Sequence, residues 1–276
     1  MEIQELMRRI HLSEDEMELV NHYEMSEKEY LEWKKLFETD VQLFLKKAEE
    51  IQGFEQMLLY LYIRFAADVQ IWYRYKEIPD EIYIQTMKDI AVWSNHYKRN
   101  HKYPGIKATE WISHSIQGRV FRLGRLQFEP SVLEKDIITE QETYLRGRKI
   151  LHVHIPEDGR LSKEACSESF AMAEDFFQSF GFQGENVYLC ESWLLSPVLK
   201  KILEDKSNIL DFQKRFYVYD VVYPFRQAEE RIFGGISDDI ETYPESTSLQ
   251  RKFKQWLREH PEDIGMGIGV FSYINQ

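Results

Sequence analysis

The hydrophobic pattern of this chain changes its period near Gly118. Before that residue, apolar side chains recur every three to four positions, as on one face of an α-helix. After it, several segments alternate apolar and polar residues, which is the two-residue repeat of a β-strand. A chain of 276 residues has room for two domains. The pattern predicts an α+β protein, with an all-helical N-terminal domain over residues 1–117 and a mixed α/β domain over residues 118–276.

Helix boundaries in the first half are marked by local signals. Ser13 with Glu16, and Ser26 with Glu29, fit the capping box that begins a helix. The largely apolar stretch 54–77 predicts a long buried helix. Proline at position 79 breaks the pattern, and we expect the next helix to follow over residues 81–100.

The second half contains a strand, a turn, a helix and another strand in close succession. Residues 149–156 read as the strand, 157–160 as the turn, and 162–182 as a helix that Ser162 caps and Gly181 ends. Further strands are predicted over 186–193 and 217–222, with a mostly helical segment over 197–216. A strand that leads directly into a helix exposes backbone N–H groups, which bind anions.

Alternation assigns side chains to strand faces. In the first of these strands, Leu126 and Phe128 share one face, opposite Arg125, Gln127 and Glu129. In the second, His152 and His154 share a face, opposite Leu151 and Val153. In the third, Tyr188, Cys190 and Ser192 share a face. In the last strand, 263–273, glycine at 265, 267 and 269 leaves one face bare, so we expect another segment to approach its backbone. This GxGxG spacing lacks the following helix of a dinucleotide site.

Composition narrows the functional classes. A formal charge of −12 argues against nonspecific binding of nucleic acid or anionic membrane. The N-terminus shows no signal-peptide pattern, and no apolar run is long enough to cross a membrane. Cys166 and Cys190 have no metal-type spacing, which favours two reduced thiols. We therefore expect a cytoplasmic globular protein, with an oligomeric state that the sequence leaves open.

Several strings make this chain similar to a known family. They are Ile78-Pro79 with Asp89-Ile90 and Trp93, Phe121-Arg-Leu-Gly-Arg-Leu-Gln-Phe-Glu129, His154-Ile-Pro156, Cys190-Glu-Ser-Trp-Leu-Leu195, and Ser207-Asn208 with Phe212-Gln213. The chain resembles a bacterial family of two-domain acyltransferases, with a helical N-acyltransferase N-terminal domain and a GNAT-like C-terminal domain. The resemblance implies acyl transfer from acetyl-CoA or another acyl-CoA to an amine of a small molecule or peptide.

The resemblance also implies where coenzyme A binds. In GNAT-like enzymes the pyrophosphate lies on backbone amides at a strand–turn–helix junction, and the acyl carbonyl lies in a splay between two parallel strands. Carried over to this chain, the cofactor residues are Ile155, Gly159, Arg160, Leu161, Ser162, Lys163 and, against the pantetheine arm, Asn208. The turn departs from the family pattern, because Glu157 and Asp158 would repel a pyrophosphate unless they point away from it.

Four residues are candidates for the chemistry. Glu129 or His154 could deprotonate the amine, and Cys190 or Tyr219 could protonate the departing thiolate. Each has a structural alternative: Glu129 could pair with Arg125, His154 could be hydrogen-bonded beside His152, and Cys190 could be an inert buried thiol. Cys190 with His154 could also form a Cys–His hydrolase pair. The other class that stays open is a non-catalytic ligand-binding or interaction protein, which the acidic turn favours.

Overall fold

Residues 1–140, 142–181, 186–260 and 264–272 are described by a computed structural model. They form two compact units. The first unit consists of residues 1–123 together with 156–158, and the second contains the rest of the chain from Gly124 onward. The first unit extends beyond the expected limit at 117 because strand β1, Phe121–Leu123, packs on helix α6. There the Arg122 N–H donates to Thr86 Oγ1 at 3.0 Å.

The first unit is helical as far as β1, as predicted. Its helices are α1 Ile3–Arg9, α2 Glu14–His22, α3 Glu27–Thr39, α4 Val41–Glu49, α5 Phe54–Tyr75, α6 Asp80–His101 and α7 Trp111–Ile116. Both predicted capping boxes are present, at Ser13 and at Ser26. Proline 79 lies immediately before α6, where its missing N–H costs no helical hydrogen bond. No helix within the described ranges combines the length and apolarity needed to cross a bilayer.

Helix α5 lies at the centre of the first unit. Eleven of its side chains are buried, and it packs against α1, α2, α3, α4, α6 and α7. An aromatic cluster formed by Phe37, Phe44, Tyr62 and Phe65 joins it to α3 and α4. On the α6 side, the Tyr83 hydroxyl donates to the carbonyl of Ala66 at 2.8 Å. A helix that is buried around most of its circumference reads as a nearly continuous apolar run, which is the pattern that predicted it.

The second unit is a sheet with helices around it. Its elements are β2 Leu126–Val132, β3 Ile137–Ile138, β4 Thr143–Tyr144, β5 Lys149–His154, α8 Lys163–Ser179, β6 Val187–Ser192, α9 Leu199–Ile202, α10 Asn208–Gln213, β7 Tyr217–Val222, α11 Gln227–Phe233, α12 Ser248–Glu259 and β8 Met266–Ser272. The main strands lie in the order β2-β5-β6-β8-β7. Strands β5 and β6 are parallel, whereas the other neighbours are antiparallel.

Helix α8 forms as the sequence predicts. Ser162 caps it, its side chain accepting from the N–H of Ala165, and Gly181 follows its end in a left-handed conformation at φ +84°. The expected helix 162–182 and strand 263–273 each include residues outside the described ranges, namely 182, 263 and 273. The segment 197–216, expected to be mostly helical, contains two short helices, because Ser207 starts α10 anew with a side-chain cap.

Both faces of the sheet carry buried side chains, and the two faces differ in chemistry. On the first, which we call the α8 face, Phe128, Tyr188 and Phe271 pack around Phe170 of α8. The opposite face carries Ile150, Val187, Leu189, Ile268 and Val270 under the β3–β4 hairpin. Its other side chains include Gln127, Glu129, His152, His154 and Glu191, placed there by strand register. We call it the histidine face.

The bare face of β8 is covered, as expected. A Cβ atom at Gly267 would overlap the carbonyl oxygen of Leu195, in the 3₁₀ turn that follows β6. At Gly269 it would lie 2.8 Å from Cβ of Phe216. The glycines of this strand therefore let the loop after β6 lie directly on the sheet.

We predict that Gly267→Ala lowers the free energy of unfolding by about 3 kcal/mol, because the loop backbone at Leu195 must move to admit the methyl group. The matched control is Gly235→Ala, whose added Cβ would meet no atom within 4 Å. Urea unfolding followed by circular dichroism measures both variants. Equal stabilities of the two variants would contradict the packing described here.

Candidate functional site

Strands β5 and β6 separate towards their carboxyl ends. Their parallel register pairs Leu151 with Tyr188 and His152 with Leu189, and both strands then continue, β5 to His154 and β6 to Ser192. On its other side β6 stays paired with β8 as far as Ser192 and Gly267. On its own other side β5 stays paired with β2 as far as His154 and Gln127, so the gap opens because the β2–β5 pair diverges from the β6–β8 pair. It lies where parallel strands end, which is the usual place for ligands in such sheets.

Ion pairs hold the segment that follows β5. Glu157 Oε1 lies 2.5 Å from a guanidinium nitrogen of Arg99, and its Oε2 lies 2.9 Å from His96 Nδ1. Both partners are on helix α6. Burial by itself would raise the pKa of Glu157, but the contacts with His96 and Arg99 outweigh it and keep the pKa below the ordinary value. This carboxylate is thus ionised and engaged at neutral pH.

Asp158 is held in the same way. It lies 2.9 Å from the Arg122 guanidinium and 3.7 Å from Nζ of Lys88. Arg122 is almost fully buried, so its charge is only weakly screened by water. From the sequence, these two acids are expected to repel an anion unless they point away from it. Each of them faces basic side chains of the first unit, which neutralise it.

Arg125 binds the carbonyl groups of the next two residues, Gly159 and Arg160. Gly159 adopts φ +82°, a left-handed conformation that reverses the chain direction. Arg125 then donates from Nη2 to the carbonyl of Gly159 at 3.1 Å, and from Nε to that of Arg160 at 3.0 Å. The backbone of Arg125 is itself anchored, because its N–H donates to Ser169 Oγ of helix α8 at 2.7 Å.

These two hydrogen bonds determine where the N–H groups of Arg160 and Leu161 point. In a trans peptide the C=O and N–H groups point in opposite directions, so the N–H groups of Arg160 and Leu161 face away from Arg125. The N–H groups of Ser162, Lys163 and Glu164 have no intrahelical acceptor, because α8 begins at Lys163. The turn and the helix terminus together present a run of amides at the positive end of a 17-residue helix.

Arg215 is a further cation at this terminus, and the sequence analysis did not find it. It donates to the carbonyl of Lys163 at 3.0 Å and to Ser167 Oγ at 2.8 Å. Arg215 lies between α10 and β7, 52 and 48 positions from its two contacts, so no local pattern could have indicated it. Arg160 and Lys163 are exposed at the same corner, whereas Leu161 is buried and Ile155 half-buried. Asn208 is exposed at the start of α10, which packs on α8.

Beside the gap, His154 and Glu129 form a pair. His154 Nε2 lies 3.2 Å from Glu129 Oε2, because Glu129 is the register partner of His152 and reaches diagonally to the next residue of its face. The ring of His152 lies 6.2 Å from that of His154. Burial, and then the neighbouring His154, lower the pKa of His152, so His152 is neutral at pH 7. This contact joins Glu129 to a neighbour in the sheet, whereas its pairing with Arg125 stays a prediction.

Cys190 is on the other side of the sheet. It lies two residues after Tyr188, on the α8 face, whereas His154 lies on the histidine face. The thiol is completely buried, and burial strongly raises its pKa. The structure therefore does not bring Cys190 and His154 together, and a Cys–His pair is a wrong interpretation of these two residues.

Tyr219 is directed to the histidine face by a bulge. The pairing of β7 with β8 shifts between Val218 and Asp220, which frees Tyr219 to pack against the cluster that contains Leu189. Burial first, then the charges of Glu191 and Asp220, raise its pKa to about 12. Its hydroxyl group stays protonated at any physiological pH. Within the described parts of the chain, no group of three His, Cys, Asp or Glu side chains is arranged to hold a metal ion.

This geometry agrees with the families that the chain matches. A family model for a GNAT-like C-terminal domain matches residues 120–271, which is more than half of the chain. A second, for an N-acyltransferase N-terminal domain, matches residues 1–118. The chain belongs to this two-domain N-acyltransferase family. No protein of curated function is similar enough in sequence to count as a match.

Solved structures share the fold of this N-acyltransferase family member. One is an acyltransferase in complex with decanoyl-CoA and teicoplanin, and another is a mutant of an acyltransferase in complex with octanoyl-CoA. Each has a TM-score of 0.78 and 21% sequence identity, over 98% of this chain and 87% of the other chain. A third, with decanoyl-CoA alone, has a TM-score of 0.77 and 19% identity.

We predict that neither cysteine of the native protein reacts with iodoacetamide at pH 8, since Cys166 and Cys190 are buried and burial raises the pKa of both thiols. Mass spectrometry should find no label on the folded protein and two labels in urea. Single-cysteine variants, Cys166→Ser and Cys190→Ser, assign any label. Fast native labelling of Cys190 would restore it as a candidate nucleophile.

Proposed function

We propose that this protein transfers an acyl group from acyl-CoA to an amine of a small molecule or peptide. The observation that carries the proposal is the gap between β5 and β6. The turn that follows β5 lies next to this gap, and the N–H groups of Arg160 and Leu161 in it point away from Arg125. A thioester that enters the gap would have its pyrophosphate at this turn. We place the reaction in the cytoplasm, where free thiols such as Cys166 and Cys190 persist.

The pyrophosphate would be bound by backbone groups and cations. The N–H groups of Arg160, Leu161, Ser162 and Lys163 are the donors, and the end of the α8 dipole favours the negative charge. The exposed side chains of Arg160 and Lys163 add charge. Arg215 reinforces the first turn of α8 from the side. Ile155, at the edge of the gap, and Asn208 are the residues that we assign to the pantetheine arm.

The base is the His154–Glu129 pair. A carboxylate that accepts from Nε2–H leaves the lone pair of the imidazole on Nδ1, which can take a proton. The amine nitrogen then attacks the thioester carbonyl: its N–H proton passes to His154, the C–N bond forms and the C–S bond breaks. The electron pair of the C–S bond leaves on sulfur as a thiolate.

Tyr219 supports the departing sulfur by a hydrogen bond and does not transfer its proton to it. With its pKa raised to about 12, its hydroxyl is a much weaker acid than an ordinary thiol, whose pKa is about 8.5. Solvent would supply the proton that the thiolate takes up. Cys190, a buried thiol on the α8 face, has no step in this scheme.

The acidic turn no longer favours a non-catalytic role. Glu157 and Asp158 were the reason to doubt that an anion binds here, and both are engaged with basic residues. The complexes of the similar structures make octanoyl-CoA and decanoyl-CoA the first donors to test. Teicoplanin, which is bound together with decanoyl-CoA in one of these structures, supports an amine acceptor of the small-molecule or peptide class.

We predict that His154→Gln and Glu129→Gln each lower kcat for acyl transfer about a hundredfold, because removing a positioned base costs that much or more. The dissociation constant for octanoyl-CoA should stay unchanged, since neither residue lies at the turn. Calorimetry measures binding, and release of free thiol measures turnover. The control Cys190→Ser should match the wild type. Binding without turnover in the wild type would instead indicate a ligand-binding protein.

We predict that the double variant Glu157→Gln, Asp158→Asn binds octanoyl-CoA about three- to tenfold more weakly, because the turn loses its ionic anchors. The direction of the change in affinity for octanoyl-CoA distinguishes two roles of these acids, anchoring of the turn and repulsion of the ligand. If these acids repelled the pyrophosphate, removing their charge would tighten binding. The matched control is Glu164→Gln, an exposed acid in the first turn of α8, which should bind equally well or more tightly. Calorimetry at two salt concentrations measures all three proteins.

A further inference from the structure

Glu191 lies directly across the gap from His154. The register pairs His152 with Leu189, so the residues two positions further along each strand, His154 and Glu191, lie level with each other where the strands separate. Both are on the histidine face. Leu189 lies two residues before Glu191, and Ile268 is the register partner of Glu191 on β8. Both pack in the cluster on that face. Glu191 was not among the residues that the sequence analysis singled out.

The carboxylate of Glu191 is exposed, although Leu189 and Ile268 beside it are buried. It therefore lies at the boundary between the apolar cluster and water. It acts on both sides of the gap, since its charge raises the pKa of Tyr219 and opposes the lowering of the pKa of His152. A ligand at the mouth of the gap would meet His154 on one side and Glu191 on the other.

The charges around this mouth are mostly negative. Glu129 and Glu191 flank it, and Glu134 and Asp220 act on His152 and Tyr219 respectively. Among the residues that the structure describes, Lys135 is a cation close to them, 4.0 Å from Asp220. Such a surface attracts a cationic ligand and repels an anionic one.

A buried amide on the same face points independently to a ligand. Gln127 is the register partner of His154 and is only 1% exposed. Within the described residues its Nε2 has no hydrogen-bond acceptor. Buried donors in native proteins almost always have a partner. An oxygen of a bound substrate beside His154 would supply one.

We propose that the amine acceptor is a cation with at least two amino groups, one that attacks the thioester and one that stays protonated and is bound by Glu191. The inference rests on the proposed acyl transfer and adds the chemical class of the acceptor. The attacking nitrogen must be neutral and so gains little from the carboxylates. A second ammonium group gains from Glu191 directly and from the other acids at longer range.

Three acceptors of similar length and different charge test this proposal: 1,3-diaminopropane, 3-aminopropanol and β-alanine, with octanoyl-CoA as donor. For the wild type we expect kcat/KM to be about fivefold higher for the diamine than for the amino alcohol, and lowest for the amino acid. In Glu191→Gln the preference for the diamine should fall below twofold, mainly through a higher KM. The control Glu168→Gln, an exposed acid on α8, should keep the preference of the wild type.

The outcomes separate this inference from the proposed function. Turnover of all three amines without a charge preference, or a preference that survives in Glu191→Gln, would overturn the role of Glu191 and leave acyl transfer intact. Failure of every amine with both octanoyl-CoA and decanoyl-CoA would count against acyl transfer itself. In that case, calorimetric binding of 1,3-diaminopropane and 3-aminopropanol to the wild type and Glu191→Gln still decides the matter, and equal affinities would overturn the inference.

Discussion

The departure of β5 from β6 is the feature on which the whole site depends. A parallel pair that stayed hydrogen-bonded to its end would leave no room for a thioester and would aim the following turn elsewhere. The residues that follow β5 make two sets of contacts: ion pairs from Glu157 and Asp158 to basic side chains, and hydrogen bonds from Arg125 to two carbonyl groups. Because Arg125 binds the C=O groups of Gly159 and Arg160, the N–H groups of Arg160 and Leu161 point away from it.

A strongly acidic chain can bind a polyanion only if its charge is arranged locally. The net charge of −12 is a property of the whole surface, whereas the corner at Ser162 combines a helix dipole with Arg160 and Lys163. Glu157 and Asp158, which precede it in the turn, are neutralised by basic side chains. On the histidine face the local charge has the opposite sign, because the carboxylates of Glu129 and Glu191 lie on either side of the gap. The two substrates that we propose, acyl-CoA and a cationic amine, differ in the same sense as the charges on the two sides of the site.

Strand register decides which candidate residues can act together. Alternation within each strand correctly placed His152 with His154, and Tyr188 with Cys190. It could not show that these pairs lie on opposite sides of the sheet, because that depends on which residues of β5 and β6 are neighbours. The same limit explains why Glu191 was missed. Glu129 was found because it sits on a strand whose polar face was evident from its own alternation.

The sequence by itself determined the helical and mixed halves, the capped start of α8, the polar strand faces and the glycine-lined strand β8, because periodicity and capping are local properties. Only the tertiary structure decided how Glu157 and Asp158 are neutralised, that Arg215 reaches the start of α8, and that Glu191 and His154 occupy corresponding positions on neighbouring strands. Each of these arrangements joins residues far apart along the chain. Local patterns carry no information about such pairs, since they form only when the sheet has its register and its helices are packed.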